Sequence, residues 1–377
     1  LISKHDFEMM LCSGVSLEFP MSLDSARHAK PREHDVGRHR SEVLRRASGL
    51  THLVGHTPLL GIHCLLDGAR HTVWAKHETA NFTGSVKDRM ALHMLTRAHE
   101  RGDIEPGDEI AEASSGNTGI SFAAVGRAMG HPVRIFMPDW MSVERTSVMT
   151  ALGATVEPIS HAQGGFLGAI AAADAYAASR PGVWRPQQFS SADNAEAHER
   201  GTGPELLSQL RSVGRTPSGF VAGVGTGGTV TGVGACFTEA LADVAIHPLE
   251  PANSPTLRTG KRVGSHRIQG ISDEFVPALV DLSVLDEVID AWDGDAILMA
   301  QRLASELGLA VGISSGANLI GALSVAAAQG RGSVLATVFA DSHKKYLSTD
   351  LVKTEPVLEH YLSPRIELLG LDVLPAV

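Results

Sequence analysis

In the stretch NFTGSVKDRM (residues 81–90) a single lysine stands between a run of small residues and a charged segment. Gly84 and Ser85 allow a tight turn, so Lys87 falls in the first turn of the helix that KDRMALHMLTRA forms, where the helix dipole disfavours positive charge. An amine made easier to deprotonate in this way is suited to Schiff-base chemistry. The plain alternative is an ordinary surface lysine beside Asp88. Three other loops carry groups that bind anions. SSGNTG (114–119) sets hydroxyl and amide side chains and free N–H groups between a strand and a helix. That makes a carboxylate nest, in more residues than an N-cap alone requires. GVGTGGT (223–229) has the glycines, N–H donors and threonine hydroxyls of a phosphate cradle. It also satisfies GxGxxG at Gly223, Gly225 and Gly228, with Asp243 downstream, but no Gly-Lys-Ser/Thr follows, so it is not a Walker A loop. GISSGAN (312–318) reads by itself as a helix cap.

These loops recur at one kind of place. From about Gly55 onward, short β-branched runs are each followed by a Gly or Ser cluster and then an Ala/Leu/Met-rich helix, the pattern of an α/β protein with parallel strands. TVWAKHE, EIAEA, PVRIFMPD, TVEPIS, GFVAG and SVLATVFAD are the strands, and the helix after Lys87 should bury Met90, Leu92, Met94 and Leu95. Open sheets of this class bind ligands at the carboxyl ends of their strands, which is where the loops lie. Residues 1–45, including HAKPREHDVGRHR, show neither period and are expected to form a flexible arm.

Composition removes other classes. The chain has 377 residues, 43% of them hydrophobic, enough for a real core. Its formal net charge is −10, with no long basic block, which argues against nucleic acid or an anionic membrane as partner. The three cysteines, Cys12, Cys64 and Cys236, have no metal-ligand spacing and suit a reduced cytoplasmic protein; no metal site is expected. No apolar run is long enough for a membrane helix and no signal-peptide core is present. The sequence opens on Leu1, so the first segment is expected to be tag, linker or a misplaced start, with Met21 a plausible true start.

A reactive lysine, a carboxylate nest, a phosphate cradle and a hydroxyl-bearing loop together describe a site for pyridoxal 5'-phosphate and an amino acid. The chain resembles the fold-type II pyridoxal-phosphate enzymes, and most closely the cysteine synthase and cystathionine β-synthase group. The resemblance rests on GHTPLL (55–60), NFTGSVKDR (81–89), SSGNTG, MPDWMSVERTSVMTALGATV (137–156), QQF (187–189), TGPEL (202–206), GTGGTVTG (225–232), IQGISDEFVP (268–277), GISSGAN and KKYLSTDL (344–351), in family order. It implies two open, mostly parallel twisted sheets flanked by helices. A large domain of 46–89 with 191–350 would hold the cofactor, a smaller inserted domain would span 90–190, and a tail of 351–377 would pack on the second subunit of a homodimer.

By the same resemblance, Lys87 forms the internal aldimine and serves as acid/base at the substrate Cα. Asn117 bonds the cofactor's phenolic oxygen, Gly225, Thr226, Gly227, Gly228 and Thr229 hold its phosphate, and Ser314 faces the pyridine nitrogen. Ser114, Ser115, Thr118 and Gln188 bind the substrate carboxylate. A hydroxyl, unlike a carboxylate, does not keep the pyridine nitrogen protonated, which favours expulsion of a β-substituent over transamination. The implied reaction is β-replacement on an activated L-serine, O-acetylserine or O-phosphoserine, by sulfide or another thiol, giving L-cysteine through an α-aminoacrylate. Cystathionine, S-sulfocysteine or diaminopropionate synthesis and serine or threonine dehydration use the same core. A silent cofactor binder and a nicotinamide-dependent dehydrogenase are the readings outside that class.

The chain departs from the family at Phe82, where proline is usual, at Ser114, where threonine is usual, and in SSADN (190–194) after QQF. Phe82 is expected to reshape the entrance, and these changes leave donor and acceptor specificity open. Arg258, Arg262 and Arg267 read as solvated surface charge, with an anionic donor such as O-phosphoserine as the alternative. Residues after Leu351 are too few for a regulatory domain pair, and Cys12 and His28 are isolated, weak haem ligands.

Overall fold

The computed structural model describes residues 33–377, so Cys12, His28 and Met21 lie outside the described residues. Eleven strands form two sheets. The larger contains β1 (Leu59–Leu66), β2 (Ala69–His77), β7 (Gly219–Gly223), β8 (Ala245–Pro251), β9 (Ile289–Ala291), β10 (Leu335–Phe339) and β11 (Ile366–Leu374), in the order β11-β1-β2-β10-β7-β8-β9. From β2 to β9 all neighbours are parallel; β1 runs antiparallel to both β2 and β11. The smaller is fully parallel and contains β3 (Glu109–Ala113), β4 (Val133–Pro138), β5 (Thr155–Ile159) and β6 (Val183–Trp184), in the order β5-β4-β3-β6. The expected α/β architecture of two mostly parallel sheets is the one observed.

Strand alternation explains why both faces of the large sheet are covered. In β7, Phe220 and Ala222 face the helices Gly203–Ser212 and Gly228–Ala240, while Val221 between them faces Asp293–Leu307 and Ile313–Gln329. The helix Lys87–Arg101 buries Met90, Leu92, Met94 and Leu95 against Asn117–Met129 and the small sheet, as its periodicity predicts. Because β2, β10 and β7 are parallel neighbours, their carboxyl ends lie along one edge. The loops they feed are thereby brought together.

One expectation needs correction. The segment expected to be a flexible arm ends in a helix, Glu33–Leu50, whose Val43, Ala47 and Leu50 pack into the core with Met129 and Ile104. Its spacing was hidden by the His/Arg-rich stretch that opens it. Within the chain, the tail turns back as β11 and covers the edge of β1, with Leu59 opposite Leu374 and Leu66 opposite Ile366.

A buried histidine pair ties the Lys87 helix to the turn before β4. His131 Nδ1 lies 2.8 Å from the Asp108 carbonyl and must donate, so its Nε2 accepts from His99 Nε2–H at 2.9 Å. His99 Nδ1 is left without a partner. Burial, with His131 and Arg40 nearby, lowers His99 to about 4, well below a free imidazole. Above pH 6.5 the folded and unfolded chains bind the same protons here. As pH falls from there to about 4 only the unfolded chain gains one, and stability is lost. Denaturant midpoints at pH 7 and pH 5 should differ by roughly 2 kcal/mol of stability from His99 alone. A His99→Leu protein should show the smaller pH response; an equal response in both would remove His99 as the cause.

Candidate active site

One cleft opens between the sheets, and Lys87, Ser114, Ser115, Asn117, Thr118, Gln188, Gly225, Thr226, Gly227, Thr229 and Ser314 all line it. Of the residues singled out in the sequence, only Gly228 lies behind the wall. A Cβ there would strike Asn194 Oδ1 at 2.1 Å, so glycine is required for the loop to approach.

Lys87 is set by its turn. Gly84 takes φ +81°, Val86 N–H donates to the Ala340 carbonyl at 2.8 Å, and Ser85 bridges to Asp341 beyond β10. The first helical residue therefore faces the cleft, with its Nζ 3.3 Å from Thr226 Oγ1. Desolvation lowers the amine to about 8 against the raising pull of Asp273. Water exclusion thus adds to the helix dipole in favouring the neutral amine.

After β7, Gly227 adopts φ +86° and caps the helix Gly228–Ala240. The N–H groups of Gly225, Thr226 and Gly227 have no acceptor among the described residues, and those of the helix's first turn have none within the helix. A Cβ on Gly225 would lie 2.3 Å from the Gly270 carbonyl, and one on Gly227 2.3 Å from Val280. Unclaimed donors at a helix N-terminus, on a backbone pressed close by its neighbours, are the donor set for a phosphate monoester. Thr226 Oγ1 is further held by Asn194 Nδ2 at 2.9 Å.

At the 114–119 loop, Ser114 Oγ accepts from the N–H groups of Gly116 (3.0 Å) and Gly119 (2.9 Å), which leaves its own proton to donate. The N–H groups of Asn117 and Thr118 start the helix Asn117–Met129 and reach no acceptor among the described residues. Thr118 Oγ1 donates to Gln188 Oε1 at 2.6 Å, and Gln188 Nε2 donates to the Ala113 carbonyl at 2.7 Å. Thr118 thus brings a backbone donor and Gln188 one remaining N–H, a narrower role than the sequence suggested.

Several residues that line the cleft or back its wall went unnoticed in the sequence. Asp273 enters from the 268–277 segment, and desolvation raises its carboxyl to about 6 despite Lys87. Asn117 is clamped: its Nδ2 donates to Asp341 Oδ2 at 2.8 Å and its Oδ1 accepts from Lys345 Nζ at 2.8 Å. Tyr346 OH donates to the same Asp341 oxygen at 2.6 Å. Asn194, which lies in the SSADN departure, also donates to the Gln188 carbonyl at 2.7 Å and so links the two anion loops. Pairings 224 and 228 residues apart leave no local signal.

Other candidates fall away. Asp243 is exposed and lines no part of the cleft, which deprives the dinucleotide reading of its acidic partner. Arg267 is paired with Asp293 and Glu355, and Arg258 with Asp290 and Glu250; of these three arginines Arg262 lines the mouth, paired there with Glu274. Phe82 is exposed and lines neither cleft nor mouth, so it does not shape the entrance here. No cluster of metal-binding side chains occurs, and no helix is long and apolar enough to cross a membrane, among the described residues.

The family model described as pyridoxal-phosphate dependent enzyme matches residues 50–341. A cysteine synthase of Staphylococcus aureus is 40% identical over 304 residues, covering 80% of this chain and 96% of that protein. A hydrogen sulfide-producing enzyme from Fusobacterium nucleatum is 50% identical in its crystal structure, with a TM-score of 0.86 over 88% of this chain and 99% of that one. An O-acetylserine dependent cystathionine beta-synthase from Helicobacter pylori is 31% identical, with a TM-score of 0.73 over 80% of this chain and 98% of that one.

Proposed function

Because the chain belongs to the pyridoxal-phosphate dependent enzymes, we propose that it replaces the β-substituent of a serine-derived amino acid, with O-acetylserine or O-phosphoserine as donor and sulfide or another thiol as acceptor, giving L-cysteine. The observation that carries the reading is the convergence of Lys87, two anion-binding loops and the Ser314 hydroxyl on one cleft from four separate parts of the chain.

Pyridoxal phosphate supplies an electron sink for charge developing at the substrate Cα. Gly225, Thr226, Gly227 and Thr229 would hold the phosphate through N–H groups and hydroxyls, with Gly228 allowing the approach. Asn117, its amide fixed by Asp341 and Lys345, presents its remaining N–H to the ring oxygen. Ser314, at the start of the helix Ile313–Gln329, would meet the ring nitrogen with a hydroxyl, which would favour loss of the β-group over transamination. Ser114, Ser115, Thr118 and Gln188 orient the carboxylate, and Lys87 takes and returns the Cα proton. The 90–190 unit with its small sheet, the larger remainder, a homodimer and a cytoplasmic setting belong to the same reading.

A second direction is favoured by the Fusobacterium relative and by Asp273. With L-cysteine as substrate the Cβ–S bond breaks, water supplies the new Cβ–O bond, and L-serine and hydrogen sulfide leave. Asp273, as carboxylate, takes the proton from the incoming water or thiol. Asp273→Asn should keep cofactor absorbance and lower kcat by about 10²–10³-fold. The acid-side limb near pH 6 should vanish with it. Retention of that limb would assign it elsewhere.

The test is the visible absorbance of the holoenzyme with O-acetylserine, O-phosphoserine and L-cysteine added separately, with sulfide assayed in each. A long-wavelength shift with one donor supports β-replacement and identifies the leaving group. Cofactor that never binds would overturn the reading.

A further inference from the structure

Arg145 is a buried cation without an anion. It stands in the first turn of the helix Val143–Ala151, the end of a helix that repels positive charge. It is 3% exposed, its Nε has no acceptor, and it forms no ion pair among the described residues. Its guanidinium lies 5.1 Å from the centre of the Tyr346 ring, which supports a cation without neutralising it. A guanidinium kept this way is heavily penalised unless something else supplies the charge.

Its position says what that is. A Cβ on Gly116 would lie 2.7 Å from Arg145 Nε, so the arginine is pressed against the 114–119 loop, and it lines both the inner cleft and the mouth. The loop supplies unclaimed N–H groups at Asn117 and Thr118 but no charged group of its own. The phosphate cradle is a different loop, with its own donors and a backbone no side chain could share. Resting on the amino-acid reading above, we infer that Arg145 is the counter-charge for the substrate's α-carboxylate, binding it together with the 114–119 loop.

Ligand binding is read from the absorbance of the holoenzyme's cofactor, with L-serine and its carboxamide, L-serinamide, as probes. The unaltered protein should prefer L-serine by at least about tenfold. In Arg145→Gln the dissociation constant for L-serine should rise about 30-fold or more, and that for L-serinamide by less than about threefold. Arg145→Lys should recover part of the preference. An unchanged serine-to-serinamide ratio in a folded, cofactor-loaded Arg145→Gln protein would overturn the inference. Should that variant fail to fold, Arg145→Lys decides it: a narrowed preference supports the role, an unchanged one ends it. A holoenzyme in which neither probe alters the absorbance, before any substitution, would instead overturn the amino-acid reading, and the inference with it.

Discussion

Lys87→Ala should lower kcat by at least about 10³-fold while leaving the protein folded and able to bind pyridoxal phosphate. The amine makes one polar contact, 3.3 Å to Thr226 Oγ1, so its loss removes little from the fold. The phosphate donors at Gly225–Thr229 are untouched, and cofactor retention should survive dialysis in part. Borohydride should no longer fix the cofactor to the chain, because the nearby Lys345 amine is bonded to Asn117 and lies outside the cleft lining. Small primary amines added to the buffer should restore a fraction of the turnover. A variant keeping more than about a tenth of the activity would dismiss Lys87 as the group that moves the Cα proton.

The largest loss of stability should come two residues further along the same helix. Arg89, 4% exposed, binds Glu78 through Nε at 2.6 Å and Glu205 through Nη1 at 2.7 Å, while Lys76 pairs with Glu205 at 2.7 Å. Burial pushes Glu78 up, but the Arg89 charge outweighs this and holds it below its ordinary value. Glu205, whose burial acts the same way, is held at about 2 by its bonds to Arg89. Arg89→Met leaves two carboxylates to one ammonium in a dry site and should destabilise by about 3–5 kcal/mol. Removing Glu78 and Glu205 as well, each to glutamine, should recover part of that loss. Denaturant midpoints measure both, and a cost below about 1 kcal/mol for the single change would show that water enters the site. The depressed carboxylates also predict stability that is intact above pH 4.5 and lost as pH falls towards 2.

The chemistry was legible in the sequence wherever it sits in one loop at the end of one strand. Lys87, 114–119 and 225–229 each announce themselves by small residues between an apolar run and a helix, and each lines the cleft or, at Gly228, backs its wall. What could not be read is what the fold brings from afar. Asp273 sits in a segment with no periodicity, and Lys345 reaches Asn117 across 228 residues. Arg145 carries no signal in the sequence; its burial and the lack of an ion pair among the described residues set it apart. Strands were missed for similar reasons. Pro248 and Pro251 interrupt β8, and prolines ordinarily argue against an internal strand. β11 loses its alternation at Leu369, an extra residue between Leu368 and Gly370 where its register against β1 shifts.

The pairing of β1 with β11 sets a delay in biosynthesis. Leu66 is translated 300 residues before its partner Ile366. At about 5–20 residues per second, LLGIHCLL emerges with one edge open for roughly 15–60 s. An apolar strand edge exposed for that long is a template for pairing with another nascent chain. Yield from a fast-translating host should therefore depend on temperature and chaperone supply more steeply than the stability of the finished fold would suggest.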